Sequence, residues 1–266
     1  LNDILTYLFL QHYTIYIADV SSKKQKVKSI EGKIVGGYLT SIMRYPYQAH
    51  VSVRKDNTTY LCGGSIISNR YILTAAHCLY GSPSYVRIRI GSTFAHSGGR
   101  EYNTTKFGVH PKFTLEITDY DVGYVDIGKE IPINGLTTKI IKLVDANTMV
   151  ENGTEIVVTG WGQIAENGPL SETLMALKVS TVTSQYCREQ FPKDGAIQIT
   201  PRVFCAGGEA GKSHCHGDSG GPAVATKSGL QLGIVSFGRG CARAGLPAGY
   251  TNISAVREWI KTNTGV

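Results

Sequence analysis

Apolar and polar residues follow one another in short runs along most of the chain, separated at short intervals by turn residues. Such runs cover residues 48–53, 60–67, 71–76, 84–90, 106–109, 122–127, 155–161, 175–182, 202–206, 222–225, 230–237 and 249–252. Many short strands broken by turns predict an antiparallel barrel or sandwich, because a parallel βαβ array would need helical runs between the strands. One helical pattern stands out, at 254–261. Ser254 is placed to cap it, and Val256, Trp259 and Ile260 fall on one face. There is no internal repeat and no low-complexity tract.

The first 33 residues differ from the rest. Residues 1–18 are apolar and aromatic, interrupted by Gln11 and His12. That is too short and too broken for a stable membrane span. It reads as a fragment of a secretory signal, with Ala18 as the cleavage point, on a sequence that begins at Leu1. Residues 19–33 form a polar leader with Lys23, Lys24, Lys26, Lys28 and Lys33. Composition changes at Ile34-Val35-Gly36-Gly37, and residues 34–266 read as the folded domain.

Composition then narrows the classes. The chain has 266 residues, 42% hydrophobic and 18% charged, which suits a globular protein. The net charge of +7 comes without a run of five basic residues, so a solvated basic surface is preferred over nucleic-acid binding. Arg87, Arg89, Arg239 and Arg243 could meet sulfated glycans, a reading that rests on charge alone. Cys62, Cys78, Cys187, Cys205, Cys215 and Cys241 are an even number with no Cys-x-x-Cys pair. They read as three disulfides formed in an oxidising compartment, hence a secreted protein. Sequons at Asn57, Asn103, Asn152 and Asn252 agree with secretion. No cofactor and no nucleic acid are expected, and a monomer is.

The run His214-Cys215-His216-Gly217-Asp218-Ser219-Gly220-Gly221-Pro222 carries the candidate chemistry. Its glycines permit a tight loop and close approach of another chain. Such a loop presents Ser219 Oγ and can aim the N–H groups of Gly217 and Ser219 into one small space, as acyl transfer requires. Alone, the run also fits an ordinary glycine-rich turn. His77, in Thr74-Ala75-Ala76-His77-Cys78, and Asp121, in Tyr120-Asp121-Val122, are equally ambiguous alone: a structural histidine and a turn aspartate. A metal reading of His214-x-His216 is set aside, since Cys215 is taken by a disulfide and no acidic cluster completes a site.

Taken together, these residues resemble the chymotrypsin-fold serine proteases. The matching motifs are IVGG at 34–37, CGGSII at 62–67, LTAAHC at 73–78, DYDV at 119–122, TGWG at 159–162, CHGDSGGP at 215–222, SFG at 236–238 and GYT at 249–251. Within that family the cysteine pattern and CARAGLPAGYT at 241–251 look most like the mite group 3 allergens, a trypsin-like group that includes paralogues thought to be inactivated. The resemblance implies two packed six-stranded antiparallel β-barrels with a C-terminal α-helix. It implies His77 as general base, Asp121 as its orienting carboxylate and Ser219 as nucleophile. It implies an oxyanion hole from the Gly217 and Ser219 N–H groups, and the pairs Cys62–Cys78, Cys187–Cys205 and Cys215–Cys241. Protein or peptide substrates follow, and protease inhibitors or host proteins as further partners. Cleavage after Lys33 would free an α-ammonium on Ile34 to pair with Asp218, making residues 19–33 an activation propeptide.

The chain departs from the family pattern around the substrate pocket, which the resemblance assigns to Ser213, His214, His216, Ser236, Phe237, Gly238 and Ala248. Ser213 stands where trypsin-like members carry Asp, so a buried Lys or Arg would lack its counter-charge. His214 and Ala248 add bulk, which predicts a shallow or blocked pocket. Two outcomes stay open: a protease without strong Lys/Arg preference, and an inactive paralogue that works by binding. Beyond Asp121, Gly123 is expected to loosen its strand, Tyr124 to need a hydroxyl partner, and Asp126 to face solvent. Phe237 is expected to preserve the platform on which substrate backbone lies.

Overall fold

The computed structural model describes residues 34–191 and 197–266. The expected leader, the propeptide and Lys33 lie outside the described residues. Among these residues, fourteen strands and three helices follow in order. The N-terminal half holds β2 (Gln48–Lys55), β3 (Thr58–Ile66), β4 (Tyr71–Thr74), helix α1 (Ala76–Leu79), β5 (Tyr85–Ile90), β6 (Arg100–Thr104), β7 (Phe107–Val109) and β8 (Gly123–Asp126). The C-terminal half holds β9 (Glu155–Gly160), β10 (Met175–Val182), helix α2 (Ser184–Gln190), β11 (Val203–Gly207), β12 (Pro222–Ala225), β13 (Gln231–Phe237), β14 (Pro247–Asn252) and helix α3 (Ile253–Thr264), and it also recruits β1 (Tyr38–Leu39).

Two antiparallel sheets result. The C-terminal sheet runs β1-β10-β11-β14-β13-β12-β9, and β9 returns to pair with β10, closing a six-stranded ring. The N-terminal sheet runs β6-β5-β2-β3-β4-β8-β7 and curls without a hydrogen-bonded seam, so it is a seven-stranded half-barrel. The two-barrel architecture that the family resemblance implied holds, with this difference in strand count and closure. Alternation drives it: in β5, Val86, Ile88 and Ile90 are buried while the residues between them are not. β12 and β13 are buried along their whole length, because core covers both of their faces.

Each sheet is strapped by the far end of the chain. β1 pairs with β10, Tyr38 opposite Ala176. Helix α3 buries Ile253, Val256 and Ile260, and its Trp259 ring reaches His110 and Tyr124 of the N-terminal half, at 5.2 and 5.8 Å between ring centres. The helix cap is Asn252, whose side chain accepts from Ser254 N, rather than Ser254 itself. Gly265, at φ 75°, ends it with an N–H bond to Lys261 O.

Three local expectations are corrected. The strand predicted over 71–76 stops at Thr74, and Ala76 begins α1. Gly123 does not loosen β8: a Cβ there would lie 3.0 Å from both Gly108 O and Leu79 Cδ1, so the glycine lets β7 and α1 pack close. Asp126 does not face solvent. It is buried, takes a two-pronged bond from Arg70 at 2.8 and 2.7 Å, and accepts from Gly128 N.

Candidate active site

His77 sits on α1, which is a single turn fixed at both sides. Cys78 is bonded to Cys62 of β3, and Asp121 accepts the His77 backbone N–H at 2.9 Å. The same carboxylate takes the His77 ring: Nδ1 lies 2.8 Å from Asp121 Oδ2. Asp121, 1% exposed, is held in turn by the Ser236 hydroxyl on Oδ2 and by Thr251 Oγ1, which donates to its backbone oxygen at 2.8 Å. Both of those residues belong to the C-terminal sheet. Burial pulls the His77 imidazole down, but the Asp121 charge and hydrogen bond outweigh it and hold it above its ordinary value. Burial likewise pushes the Asp121 carboxyl up, and the His77 charge with the bonds from His77 and Ser236 leaves it below its ordinary value.

Ser219 arrives from the other sheet on a loop clamped against the first. Its carbonyl accepts from Gly63 N at 2.7 Å. Gly220, at φ 82°, lies so close to Thr74 Oγ1 that no Cβ would fit, and a Cβ on Gly63 would lie 2.8 Å from Gly221 Cα. These contacts explain the glycines of both motifs and put Ser219, His77 and Gly217 on the wall of one cleft. No hydrogen bond joins Ser219 Oγ to His77 in this state. Neither the Gly217 nor the Ser219 N–H donates to another backbone group among the described residues.

Asp218 anchors this loop from below. It is fully buried, its Oδ1 accepts from Gly162 N at 2.8 Å and its Oδ2 from Cys215 N at 3.0 Å. A Cβ at Gly160 or Gly162 would collide with its carboxylate, which accounts for both glycines of TGWG. Burial pushes the Asp218 carboxyl up to about 6 despite those two bonds, because no cation is paired with it among the described residues. Ile34 is fully buried, and Gly36 and Gly37 let its segment pass against Gly211 O and Ala176 O. Val35 forms a bridge with Ser213.

Beside the serine lies a cavity of about 180 Å³, walled by His214, His216, Phe237, Gly238 and the Cys215–Cys241 disulfide. Ser213 and Ala248, both expected to line it, are buried and do not reach its wall. His214 does reach it. Its ring meets Tyr250 edge-on at 5.4 Å. Burial, followed by the nearby His216 and His77, brings its imidazole down to about 4, so it is neutral at physiological pH.

Comparison with known proteins decides the family. The trypsin family model matches residues 34–260. This chain belongs to the trypsin family. It is 37% identical to the vitellin-degrading protease of Bombyx mori, over 94% of this chain and 92% of that protein. It is 35% identical to trypsin 5G1 of Aedes aegypti, over 88% and 86%, and 37% identical to hypodermin-B of Hypoderma lineatum, over 88% of each. The trypsin family comprises serine-type endopeptidases, and this chain carries that fold with three disulfides, the third being Cys187–Cys205.

Against this trypsin-family background, some site residues were not singled out by the sequence. Ser236 lines the cavity, but its bond to Asp121 was not indicated by the motifs. Asp119 and Tyr120 had no role. Asp119 is gripped by Arg202 and accepts from Thr200 Oγ1 at 2.8 Å, and Tyr120, at φ 52°, is stacked on His110 and covered by the Arg202 guanidinium at 4.7 Å. This clasp joins the turn carrying Asp121 to the start of β11. Its partners lie 83 positions apart, so no local signal marks them. One possible metal group, Cys62, His77 and Cys78, is found among the described residues. Its two sulfurs form a disulfide and have no thiolate to offer.

Proposed function

We propose that the chain is a secreted serine endopeptidase, made as an inactive precursor, that hydrolyses peptide bonds through His77, Asp121 and Ser219 without strong preference for Lys or Arg. The observation that carries it is the Nδ1–Oδ2 contact of 2.8 Å between His77 and a saturated Asp121, on the wall of the cleft that also holds Ser219. Nδ1 engaged in this way leaves Nε2 to accept a proton. Ser219 Oγ attacks the substrate carbonyl while its proton passes to His77 Nε2. The Gly217 and Ser219 N–H groups receive the oxyanion. The C–N bond then breaks, the leaving amine takes the proton from His77, and water repeats the sequence to release the acid. This is the triad chemistry of the family in its general form.

Activation follows from Asp218. A buried carboxylate without a cation is costly, and an ammonium on Ile34, freed by cleavage after Lys33, would supply one. Pairing would fix the loop that carries the oxyanion donors. Secretion is supported by the disulfides, which persist in oxidising compartments, and by the apolar residues 1–18. The absence of a carboxylate at Ser213 argues against strong selection of basic residues. His214 within the pocket favours a second reading, a catalytically weak or inactive paralogue that binds host or inhibitor proteins.

The deciding experiment is to cleave the precursor after Lys33 and expose it to a fluorophosphonate probe. Labelling of Ser219 that appears only after cleavage is expected. A processed chain with Ile34 at its N-terminus that stays unlabelled overturns the endopeptidase reading. Labelling without turnover of any peptide favours the binding paralogue.

A further inference from the structure

We propose that Lys55 makes the enzyme select an acidic side chain within the three residues that follow the scissile bond. This rests on the endopeptidase reading above.

Two hollows meet at the nucleophile. The 180 Å³ cavity and a wider cleft of about 650 Å³ share His216 and Ser219 on their walls and no other residue. The cavity includes Ser236, Phe237 and Gly238, the expected platform for substrate backbone, so it takes the acyl side. The cleft holds His77, which hands its proton to the leaving amine. The chain beyond the scissile bond therefore leads into the cleft.

Lys55 ends β2 and stands on the wall of this cleft. Val53 lies opposite Tyr60 of β3, so Lys55, two positions on, is diagonal to Tyr60 on the same face. Its Nζ sits 5.6 Å from the centre of the Tyr60 ring, which also borders the cleft. Arg54 falls on the other face, where it donates to Thr59 Oγ1 at 3.2 Å. The Lys55 charge is close enough to act on the catalytic ring. Burial pulls the His77 imidazole down, the Asp121 charge and hydrogen bond hold it up, and Lys55 is a cation that pulls it down again.

This ammonium has no anionic partner in the cleft. No Asp or Glu lines the wall among the described residues. Asp56, next in the chain, is exposed in the turn and makes no ion pair with Lys55 among the described residues. Partial burial holds the Lys55 ammonium below its ordinary value, with the Asp56 charge opposing. A substrate carboxylate would pair with this half-buried cation and offset that burial. A substrate Lys or Arg would meet like charge. Apolar side chains fit against Leu61 and Leu170 but leave the ammonium unpaired. Charge is thus what this wall can discriminate.

The test uses the full chain processed after Lys33 and internally quenched peptides with one fixed acyl side. Glu, Gln or Lys is placed in turn at each of the three positions after the scissile bond. At one of them kcat/KM is expected to rank Glu above Gln above Lys, with Glu about fivefold over Gln, the size of a modest ion pair. Added salt is expected to shrink that ratio. In Lys55→Gln the ratio is expected to fall to about one, and in Lys55→Glu to invert, with melting curves checking the fold of both. A processed chain that cleaves these peptides without regard to charge after the bond, prefers Lys there, or keeps its Glu preference in Lys55→Gln overturns this inference alone. A chain that fluorophosphonate does not label, or that is labelled without turning over any peptide, overturns the endopeptidase reading and this inference with it.

Discussion

Asp121 and His214 are both buried polar side chains within the same active-site region, and they are treated in opposite ways. Each carboxylate oxygen of Asp121 is engaged, Oδ1 by the His77 backbone and Oδ2 by the His77 ring and Ser236. Even its backbone oxygen is bound, by Thr251. His214 has an Nε2 with no partner among the described residues. The contrast separates two tasks. A group whose orientation fixes its neighbour has its hydrogen bonds completed by the protein, whereas the His214 ring is held by packing against Tyr250 and leaves its Nε2 unpaired among the described residues. Saturation of the first kind rigidifies a network, and an unpaired buried nitrogen of the second kind costs stability.

The sharpest way to break the saturated side is Asp121→Asn. It keeps the shape but reverses the hydrogen bond to His77 Nδ1, so kcat is expected to fall by roughly 10⁴ with little change in KM. Steady-state kinetics on any cleaved peptide measures it. The next effect concerns Asp218. Its carboxyl, raised to about 6 in the unprocessed chain, binds its proton more tightly folded than unfolded. The unprocessed chain therefore loses stability as pH rises from about 4 through 6, by on the order of 3 kcal/mol, and that loss persists above 6. An Ile34 ammonium removes the loss. His50 and His214, both lowered to about 4 by burial, act in the opposite sense over a similar range, but they are common to both forms and cancel in the difference. Denaturant melts of processed and unprocessed protein are expected to diverge at pH 7 and converge near pH 4.

Ser236→Ala should be milder. Asp121 keeps both bonds to His77 but loses the third, and kcat is expected to drop about tenfold, matching a hydrogen bond to a charged group. Because His77 is held above the ordinary imidazole value, kcat/KM should fall as pH drops through a point above about 6.5, where the base becomes protonated. With Ser236→Ala the carboxylate is less well supported, so a shift in that acidic limb separates an electrostatic role from mere packing. The smallest effect belongs to the pocket. Ser213→Asp alone is expected to give no gain in cleavage after Lys or Arg, because position 213 does not reach the cavity wall while His214 does. Only the double variant with His214→Ser should produce one, and peptide profiling of the two variants distinguishes them.

Most of the strand pattern was legible because β-strands here carry an apolar face. The parts that escaped lack one. β6, Arg-Glu-Tyr-Asn-Thr, lies at a sheet edge with mostly exposed side chains, so it offers no alternation to detect. Helix α1 is too short for a helical period and owes its shape to the disulfide at Cys78 and the bond its His77 N–H donates to Asp121. Helix α2 begins with a Thr183 cap and buries only Cys187, again a weak pattern. In the site, residue types and motifs pointed to His77, Asp121 and Ser219, but distant partners could not be read. Arg70 reaches Asp126 across 56 positions, and Arg202 reaches Asp119 across 83. The bulk of His214 and Ala248 was visible in the sequence. Which of them borders the pocket was decided by packing: the histidine lines the cavity, and the alanine does not.

The exchange of straps has a consequence for how such chains can be recombined. β1, at the start of the folded domain, completes the C-terminal sheet, and Trp259, near its end, packs on the N-terminal half. A single crossover between two relatives, placed in the link between the sheets, would therefore give each half a foreign strap. A chimera that respects the contacts needs crossovers on both sides, moving residues 38–39 with the C-terminal sheet and the 253–264 segment with the surface it covers. The halves look separable on a diagram of the sheets, yet as units of inheritance they are interlocked.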